Sequence, residues 1–289
     1  MKIAGFTIAR NVVKNDYPIL EAIQSILPIV DVMVVLAGDS EDNTNEVLQS
    51  IQSPKMRIFH SVWDKSVMQG GSVYAVETNK AFQLIDDSYD WAFYIQADEV
   101  VHEQYHHTII EACKKYKDDK RVEGLLFKYL HFYGTYDYVG DSRRWYSYEI
   151  RIIRNDKAIS SYKDAQGFRK GGRKLKVKPV DAYIYHYGWV KSPKNMQEKR
   201  KEVVKYYNGN ISEGQLSMND IFNFNEFDSL KKFEGSHPAV MQQRIQARNW
   251  HLNFDVSKKH FSLKNRVLYW IERNTGKRLF SFRNYEILK

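Results

Sequence analysis

Four short apolar runs stand in the first third of the chain, and polar turns bound each of them. A short apolar run between turn signals is typical of a buried β-strand. The pattern therefore predicts strands at Lys2 to Ile8, Val32 to Leu36, Arg57 to His60 and Trp91 to Gln96.

Segments with helical spacing of apolar residues lie between these runs. The first predicted helix has Asp16 as its N-cap and Pro18 in its first turn. A second is predicted over Glu46 to Ile51, and a third opens at Ser72 after two glycines. Strands that alternate with helices predict the α/β class, with a doubly wound, mostly parallel sheet.

The pattern changes after a predicted helix over Glu103 to Tyr116. Longer strands follow, separated by polar loops, and a charged helix opens at Pro193. The remainder is basic and has mainly helical spacing. We therefore predict two units, a sheet-containing domain over 1–208 and a mainly helical extension or subdomain over 209–289. The predicted strands in this part are Gly124 to Phe132, Tyr148 to Arg154 and Ala182 to Tyr187.

Composition narrows the class of protein. The 289 residues include a single cysteine, Cys113, which excludes an intramolecular disulfide and a cysteine metal cluster. No signal-peptide pattern and no apolar run long enough to span a membrane is present, so a cytoplasmic protein is expected. The net charge of +9 is spread along the chain rather than packed into one tract, and we expect no nucleic-acid partner.

The segment from Leu263 to Arg273 alternates apolar and basic residues with helical spacing. This pattern suits peripheral contact with an anionic membrane surface. It equally suits a helix packed on the rest of the chain or on a second subunit, and the oligomeric state stays open.

Two adjacent acids, Asp98 and Glu99, end the fourth predicted strand. Open α/β sheets bind ligands at the carboxyl ends of their strands. A carboxylate there can hold a divalent cation against a phosphorylated substrate. The alternative is that Asp98 caps a following helix and Glu99 lies in its first turn.

Four motifs stand in order along the chain: Gly5 to Asn11, the Ser-x-Asp-x-Thr turn at Ser40 to Thr44, the run from Asp90 to Glu99, and His186 to Trp189 with Lys199 downstream. With these motifs the chain resembles the family 2 glycosyltransferases of GT-A fold. The resemblance covers about residues 1–208.

The resemblance implies a nucleoside-diphosphate sugar as donor and Mn²⁺ or Mg²⁺ as cofactor. Asp98 matches the last acid of the family's Asp-x-Asp motif, and His186 matches a histidine that reaches the cation in some members. Gln96 stands where the first acid is usual, which leaves fewer anionic ligands. The alternative for His186 is a histidine satisfied by a backbone carbonyl.

The family's general base precedes the closing histidine by about twenty residues, and Asp164 stands in that region. The resemblance therefore assigns Asp164 as the base of an inverting transfer, with Glu149 and Asp141 in reserve. The alternative is that Asp164 is a turn residue before Gly167.

The resemblance also implies a set of donor-binding residues at the ends of the first, second and fourth strands and on the third helix. Asp39 stands one position later than the family's usual acid, which leaves the identity of the nucleotide open. The full set is Thr7, Arg10, Asn11, Asp39, Asn79 and Asp98.

The expected function is transfer of a sugar to a hydroxyl of a glycan or lipid-linked acceptor in polysaccharide biosynthesis. A nucleotidyltransferase is one alternative, although Arg10 to Val13 lacks the glycines of a phosphate loop. Another alternative is a non-catalytic module that binds a glycan or an anion on a degenerate transferase fold.

Overall fold

The computed structural model describes residues 1–67, 69–207 and 221–289. Its strands are β1 (Ile3–Ala9), β2 (Val32–Ala37), β3 (Met56–His60), β4 (Trp91–Tyr94), β5 (Glu99–Val101), β6 (Gly124–Gly134), β7 (Tyr138–Gly140), β8 (Tyr148–Arg154), β9 (Ile159–Tyr162), β10 (Gly167–Lys170), β11 (Arg173–Val190), β12 (Leu230–Lys232) and β13 (Tyr285–Ile287). Its α-helices are α1 (Ile19–Ile26), α2 (Thr44–Gln49), α3 (Ser72–Gln83), α4 (His106–Tyr116), α5 (Pro193–Tyr207), α6 (Gln242–Gln246) and α7 (Leu263–Thr275).

The strands form one mixed sheet in the order β3-β2-β1-β4-β8-β6-β11-β10-β9. The first four strands in that order run parallel to one another, and β8 runs antiparallel to both β4 and β6. Helices α1 and α4 pack on one face of the parallel half, and α3 packs on the other. The predicted α/β class is confirmed.

Alternation of side chains along each strand explains the two-sided core. In β1, Ile3 packs with the α1 and α4 side, whereas Ala4 and Phe6 pack with the α3 side. Because both faces of the sheet are covered, β1, β2 and β4 are buried throughout. The carboxyl ends of β1 and β4 therefore meet at one protected edge.

Two predicted details at element ends are wrong. Pro18, not Asp16, is the N-cap of α1; Asp16 has a φ of 50° and is paired with Arg244. No helix follows Asp98 directly, because Glu99 begins β5, which pairs with β11. The helix-cap interpretation of Asp98 and Glu99 is thereby excluded.

The described part of the C-terminal region, 221–289, contains the helices α6 and α7 and also contributes to sheets. Strand β13 runs parallel to β11, and β12 pairs with β7. The predicted boundary at 208 lies outside the described residues, so the division into two units stays a prediction. Among the described residues, no helix combines the length and the apolarity needed to cross a bilayer.

A fully buried ion pair fixes the turn after β4. Arg151 donates to both carboxylate oxygens of Glu99, at 2.8 and 2.7 Å. The hydroxyl of Tyr129 and the backbone N–H of Gln96 also donate to this carboxylate. Every oxygen of Glu99 is therefore satisfied without water, and the acid acts in the structure rather than at a ligand.

We expect Arg151→Met to lower the free energy of unfolding by about 3–5 kcal/mol, since it leaves the Glu99 carboxylate buried without its partner. Urea unfolding at neutral pH measures the change. As a control, Arg121→Met removes an exposed ion pair with Asp119 and should leave stability nearly unchanged. Equal effects of the two substitutions would contradict the role given to the buried pair.

Candidate active site

A cavity of about 480 Å³ opens at the carboxyl ends of β1 and β4. Its lining brings together residues from five separate parts of the chain: Arg10, Asp98, Asp164, His186 and Lys199. Four of these were predicted as site residues, and Lys199 was noted only as part of a motif. The sheet edge predicted from the apolar pattern is thus the wall of a real cavity.

Asp98 and His186 face each other at the floor of this cavity. The Nε2 atom of His186, on β11, lies 3.6 Å from Oδ2 of Asp98, in the turn between β4 and β5. Gly188 makes the approach possible, because a Cβ there would lie 2.5 Å from Oδ2 of Asp98 and 2.8 Å from Cε1 of His186. A larger residue at position 188 would separate the two side chains.

His131 pairs with His186 across β6 and β11. Its hydrogen bonds determine which ring nitrogen carries the hydrogen in each of the two histidines. Its Nε2 atom lies 2.8 Å from the carbonyl oxygen of Tyr146. A carbonyl only accepts, so Nε2 of His131 carries the hydrogen, and Nδ1 of the neutral ring is an acceptor. The Nδ1 atom of His186, 3.4 Å away, must then donate to it.

This chain of hydrogen bonds leaves the lone pair of His186 Nε2 directed at the Asp98 carboxylate. Burial lowers the pKa of His186, and burial with the neighbouring His186 lowers the pKa of His131 well below its usual range, so both rings are neutral at neutral pH. Two acceptors therefore stand 3.6 Å apart with no hydrogen between them. Such a pair suits a bridging cation.

We expect His131→Phe to weaken Mn²⁺ binding about 10- to 100-fold, because the substitution removes the acceptor that fixes the His186 ring. Titration of Mn²⁺ followed by electron paramagnetic resonance measures the affinity directly. The control is His107→Phe, at an exposed position on α4. Unchanged Mn²⁺ affinity in a folded His131→Phe protein would refute this positioning role.

Cationic side chains balance the acid at the cavity floor. The Nζ atom of Lys199, on α5, lies 3.7 Å from Oδ2 of Asp98 and donates to the carbonyl of Gly188. Burial opposes ionisation of Asp98, but the basic groups around it outweigh burial and lower its pKa below the ordinary value. Asp98 is therefore ionised at neutral pH and lies in a field that also suits phosphate.

Gln96 stands where the family usually has an acid. Here it joins the turn that carries Asp98 to the loop that carries Asp164. Its side-chain amide donates to the carbonyl oxygen of Ala165 at 3.3 Å. The loop it holds carries Asp164 between Lys163 and Ala165, which have φ values of 55° and 61°. Left-handed backbone at two non-glycine residues is strained, and such strain concentrates at functional sites.

An aromatic cluster adjoins Arg10 at the other end of the cavity, and the sequence reasoning missed it. Trp63 and Tyr74 line the cavity, and both rings contact Tyr206 of α5. The Nε1 atom of Trp63 is buried and has no hydrogen-bond partner among the described residues. Aromatic rings in the wall of a cavity suit a nucleobase, because bases stack on aromatic rings.

Asp39 supports this end of the cavity indirectly. Its carboxylate accepts from Nε of Arg10 at 3.0 Å and from the backbone N–H of Trp63. Burial would raise the pKa of Asp39, but the Trp63 N–H and the Arg10 charge lower it overall. Gly38 has no room for a side chain, since a Cβ would lie 2.4 Å from Nε1 of Trp63.

Three other predicted donor-binding residues do not line the cavity. Thr7 is fully buried within β1. Asn11 is buried as well and binds the backbone N–H of Glu41. Asn79 accepts from the backbone N–H of Ser161 on β9. Their roles in donor binding stay predictions, and the contacts they make here are within the protein.

The two reserve candidates for the base lie outside the first cavity. Asp141 accepts from Tyr269 and pairs with Lys259 beside a separate pocket. Glu149, on β8, lines a second cavity, of about 520 Å³, and its Oε2 atom is buried without a partner among the described residues. Burial raises the pKa of Glu149 to about 8, so this side chain is mostly protonated at neutral pH.

The raised pKa of Glu149 predicts a pH dependence of stability. The folded protein keeps a proton that the unfolded chain loses near its ordinary value of 4.5, so the free energy of unfolding falls as pH rises from there to about 8. Glu149→Gln cannot ionise and should lose this decline, becoming more stable than the parent at about pH 8. Urea unfolding across this range tests the prediction against Glu46→Gln, an exposed control; an undiminished decline in Glu149→Gln would contradict it.

The second cavity adjoins the first. Five residues line both of them: Arg144, Trp145, Tyr146, Asp164 and Gln166. The far wall of the second cavity comes from the C-terminal region, including Lys264, Phe280 and Phe282. Asp164 therefore lies between two spaces, each large enough for a substrate.

Comparison with known proteins found solved structures that are similar to this one. No protein-family model matches the chain, and no curated protein matches it significantly. The Staphylococcus aureus protein TarS matches over 75% of this chain and 41% of its own length, with 17% identity and a TM-score of 0.40.

Two further structures are similar over shorter parts of the chain. Glucosyl-3-phosphoglycerate synthase of Mycobacterium tuberculosis matches with 16% identity and a TM-score of 0.30 over 46% of this chain and 45% of that one. A 4-diphosphocytidyl-2C-methyl-D-erythritol synthase of Anaerococcus prevotii matches with 11% identity and a TM-score of 0.34 over 53% and 71%. Solved structures of TarS contain UDP or UDP-GlcNAc, and that of the synthase contains Mn²⁺ and UDP.

Proposed function

We propose that this chain is a metal-dependent glycosyltransferase that moves a sugar, with inversion, from a nucleoside-diphosphate donor to a hydroxyl of a glycan or lipid-linked acceptor. The observation that carries the proposal is the position of Asp164 at the junction of two cavities, the first of which holds Asp98 and His186. A transfer between two substrates needs this layout, because the base must reach the acceptor beside the bond that breaks. The single cysteine, buried Cys113, suits the reducing cytoplasm that we propose as the location.

The first cavity has the charges that a donor diphosphate requires. Arg10, Arg144 and Lys199 line it, and the aromatic rings of Trp63 and Tyr74 stand beside Arg10. Guanidinium groups bind phosphate oxygens in two-point contacts, and ammonium groups add charge. In this arrangement the nucleobase lies against the rings and the diphosphate extends towards Asp98.

The residues at the cavity floor fit a divalent cation. An ionised carboxylate oxygen and an unprotonated imidazole nitrogen lie 3.6 Å apart, and the imidazole favours Mn²⁺ over Mg²⁺. A cation held by Asp98 and His186 would neutralise charge on the leaving diphosphate. In the part of the chain that the structure describes, no group of three or more His, Cys, Asp or Glu is placed to hold a metal, so the donor and water would complete the coordination.

Asp164 is the proposed base. It takes the proton of the acceptor hydroxyl as that oxygen bonds to the anomeric carbon and the bond from this carbon to the diphosphate oxygen breaks. Gln96 holds the neighbouring Ala165 carbonyl and so keeps the base at a fixed distance from the turn that carries Asp98. Glu149 is protonated and lies in the second cavity, which suits binding of the acceptor rather than proton abstraction.

A panel of nucleoside-diphosphate sugars tests the proposal. With Mn²⁺ present, one donor should raise the melting temperature and release its nucleoside diphosphate slowly to water, because a ligand that binds the folded state stabilises it. Binding without any release, to water or to offered acceptors, would favour a non-catalytic module. Absence of both binding and release across the panel would overturn the proposal.

A further inference from the structure

The C-terminal region is basic, as other parts of the chain are. Residues 257–289 contain nine Lys or Arg and two Glu, a net charge of +7. Of the two acids, Glu272 is already paired with Arg143. A basic surface of this kind suits an anionic partner.

Apolar side chains project from the same region. Leu263, Val267 and Trp270 lie at i, i+4 and i+7 on one face of α7 and are 81%, 58% and 64% exposed. Phe280 and Phe282, in the loop after α7, are 90% and 82% exposed. We call these five residues the C-terminal surface. Exposed aromatic residues in such number mark an interaction site rather than ordinary surface.

Helix α7 is fixed in orientation by its opposite face. Tyr269 donates to Asp141, and Glu272 accepts from Arg143, so these residues hold the helix against the body of the protein. Exposed Arg266, one position before Val267, lies beside the apolar stripe, whereas Arg273 turns towards Asp141, 3.9 Å away. The stripe and Arg266 thus face outward together.

We propose that the C-terminal surface binds the anionic face of a lipid bilayer. Arg and Lys beside exposed Trp and Phe match a layer in which acidic headgroups overlie apolar chains. A second copy of the chain is a poorer occupant, because a two-fold contact would set one charge of +7 against another. A nucleic acid would use the charges and leave the five apolar residues without a partner.

The position of this surface also selects the acceptor, an inference that rests on the proposed glycosyltransferase function. Phe280, Phe282 and Lys264 line the second cavity, whose inner end is Asp164. A protein docked through the C-terminal surface therefore opens its second cavity towards the membrane. The acceptor class that suits this geometry is a lipid-linked glycan whose reacting hydroxyl lies just above the headgroups.

Vesicle sedimentation tests the proposal without any need for transferase activity. The full chain should sediment with vesicles of phosphatidylcholine and phosphatidylglycerol, bind vesicles of phosphatidylcholine alone at least about tenfold less, and dissociate as salt is raised. Equal binding to both vesicle types, or none at low salt, would overturn it.

Two variants locate the binding surface. Arg266→Glu/Lys277→Glu and Val267→Ser/Trp270→Ser should each lower binding to the anionic vesicles at least about tenfold, with the melting temperature and donor hydrolysis unchanged. The matched control is Lys115→Glu/Lys120→Glu, two exposed basic residues elsewhere.

If both variants still bind the anionic vesicles, the C-terminal surface is not the membrane-binding site. The proposal also fails if sedimentation equilibrium shows that the parent is a dimer and that Val267→Ser/Trp270→Ser is a monomer. If the protein binds the vesicles but neither binds nor hydrolyses any nucleotide sugar, only the proposed function is refuted.

Discussion

Asp98→Asn is expected to lower kcat/KM for sugar transfer about 10³-fold, because it removes the anionic ligand of the proposed cation site and the partner of Lys199. The substitution keeps the shape of the side chain, so the fold should persist. Initial rates at a Mn²⁺ concentration that saturates the parent protein measure the effect. A rate that rises again at higher Mn²⁺ concentration would show that the residual defect is one of metal affinity.

The control for Asp98→Asn is Asp181→Asn, at an exposed acid that pairs with Lys128 on the surface. This variant should transfer sugar at the rate of the parent protein. Transfer by Asp98→Asn within a few-fold of the parent would show that the carboxylate at the end of β4 has no part in the reaction.

Asp164→Asn is the second large effect that we expect, with a fall in kcat of about 10²- to 10⁴-fold, the range for loss of a general base. Donor and Mn²⁺ affinity should remain near those of the parent, because Asp164 lies at the junction of the cavities and not at their floor. Single-turnover transfer, measured beside donor binding by calorimetry, separates the two effects.

The reserve candidates provide the controls for Asp164. Asp141→Asn should leave kcat unchanged, because its carboxylate is paired with Lys259 outside the first cavity. Glu149→Gln should change acceptor KM more than kcat, because the side chain is already protonated and lines the second cavity. A large loss of kcat in Glu149→Gln, with near-normal transfer by Asp164→Asn, would show that Glu149 and not Asp164 is the base.

The parallel half of the sheet could be predicted from the sequence because its signal is local. Strands β1, β2 and β4 are short apolar runs covered on both faces, and each predicted range agrees with the structure to within two residues at either end. Strand β11 is different: only Ala182 to Tyr187 was predicted, whereas the strand extends from Arg173 to Val190. Its first half is basic and is held by β10 and β13, partners that no local pattern reveals.

Distant partners also explain what was missed at the site. Glu99 was interpreted as a residue in the first turn of a helix, but its partner Arg151 lies 52 positions along the chain. His131 stands within an apolar strand and gave no sign that it would meet His186. Periodicity assigns a residue to an element, while the pairing of β6 with β11 decides which side chains become neighbours.

The anomalous scattering of Mn²⁺ in crystals that also contain the bound nucleoside diphosphate is the most direct test of the proposed site. We expect one peak about 2.0–2.3 Å from the Asp98 carboxylate and from Nε2 of His186, a usual length for metal bonds to these groups. A peak at other residues, or none while the nucleotide occupies the first cavity, would contradict the account.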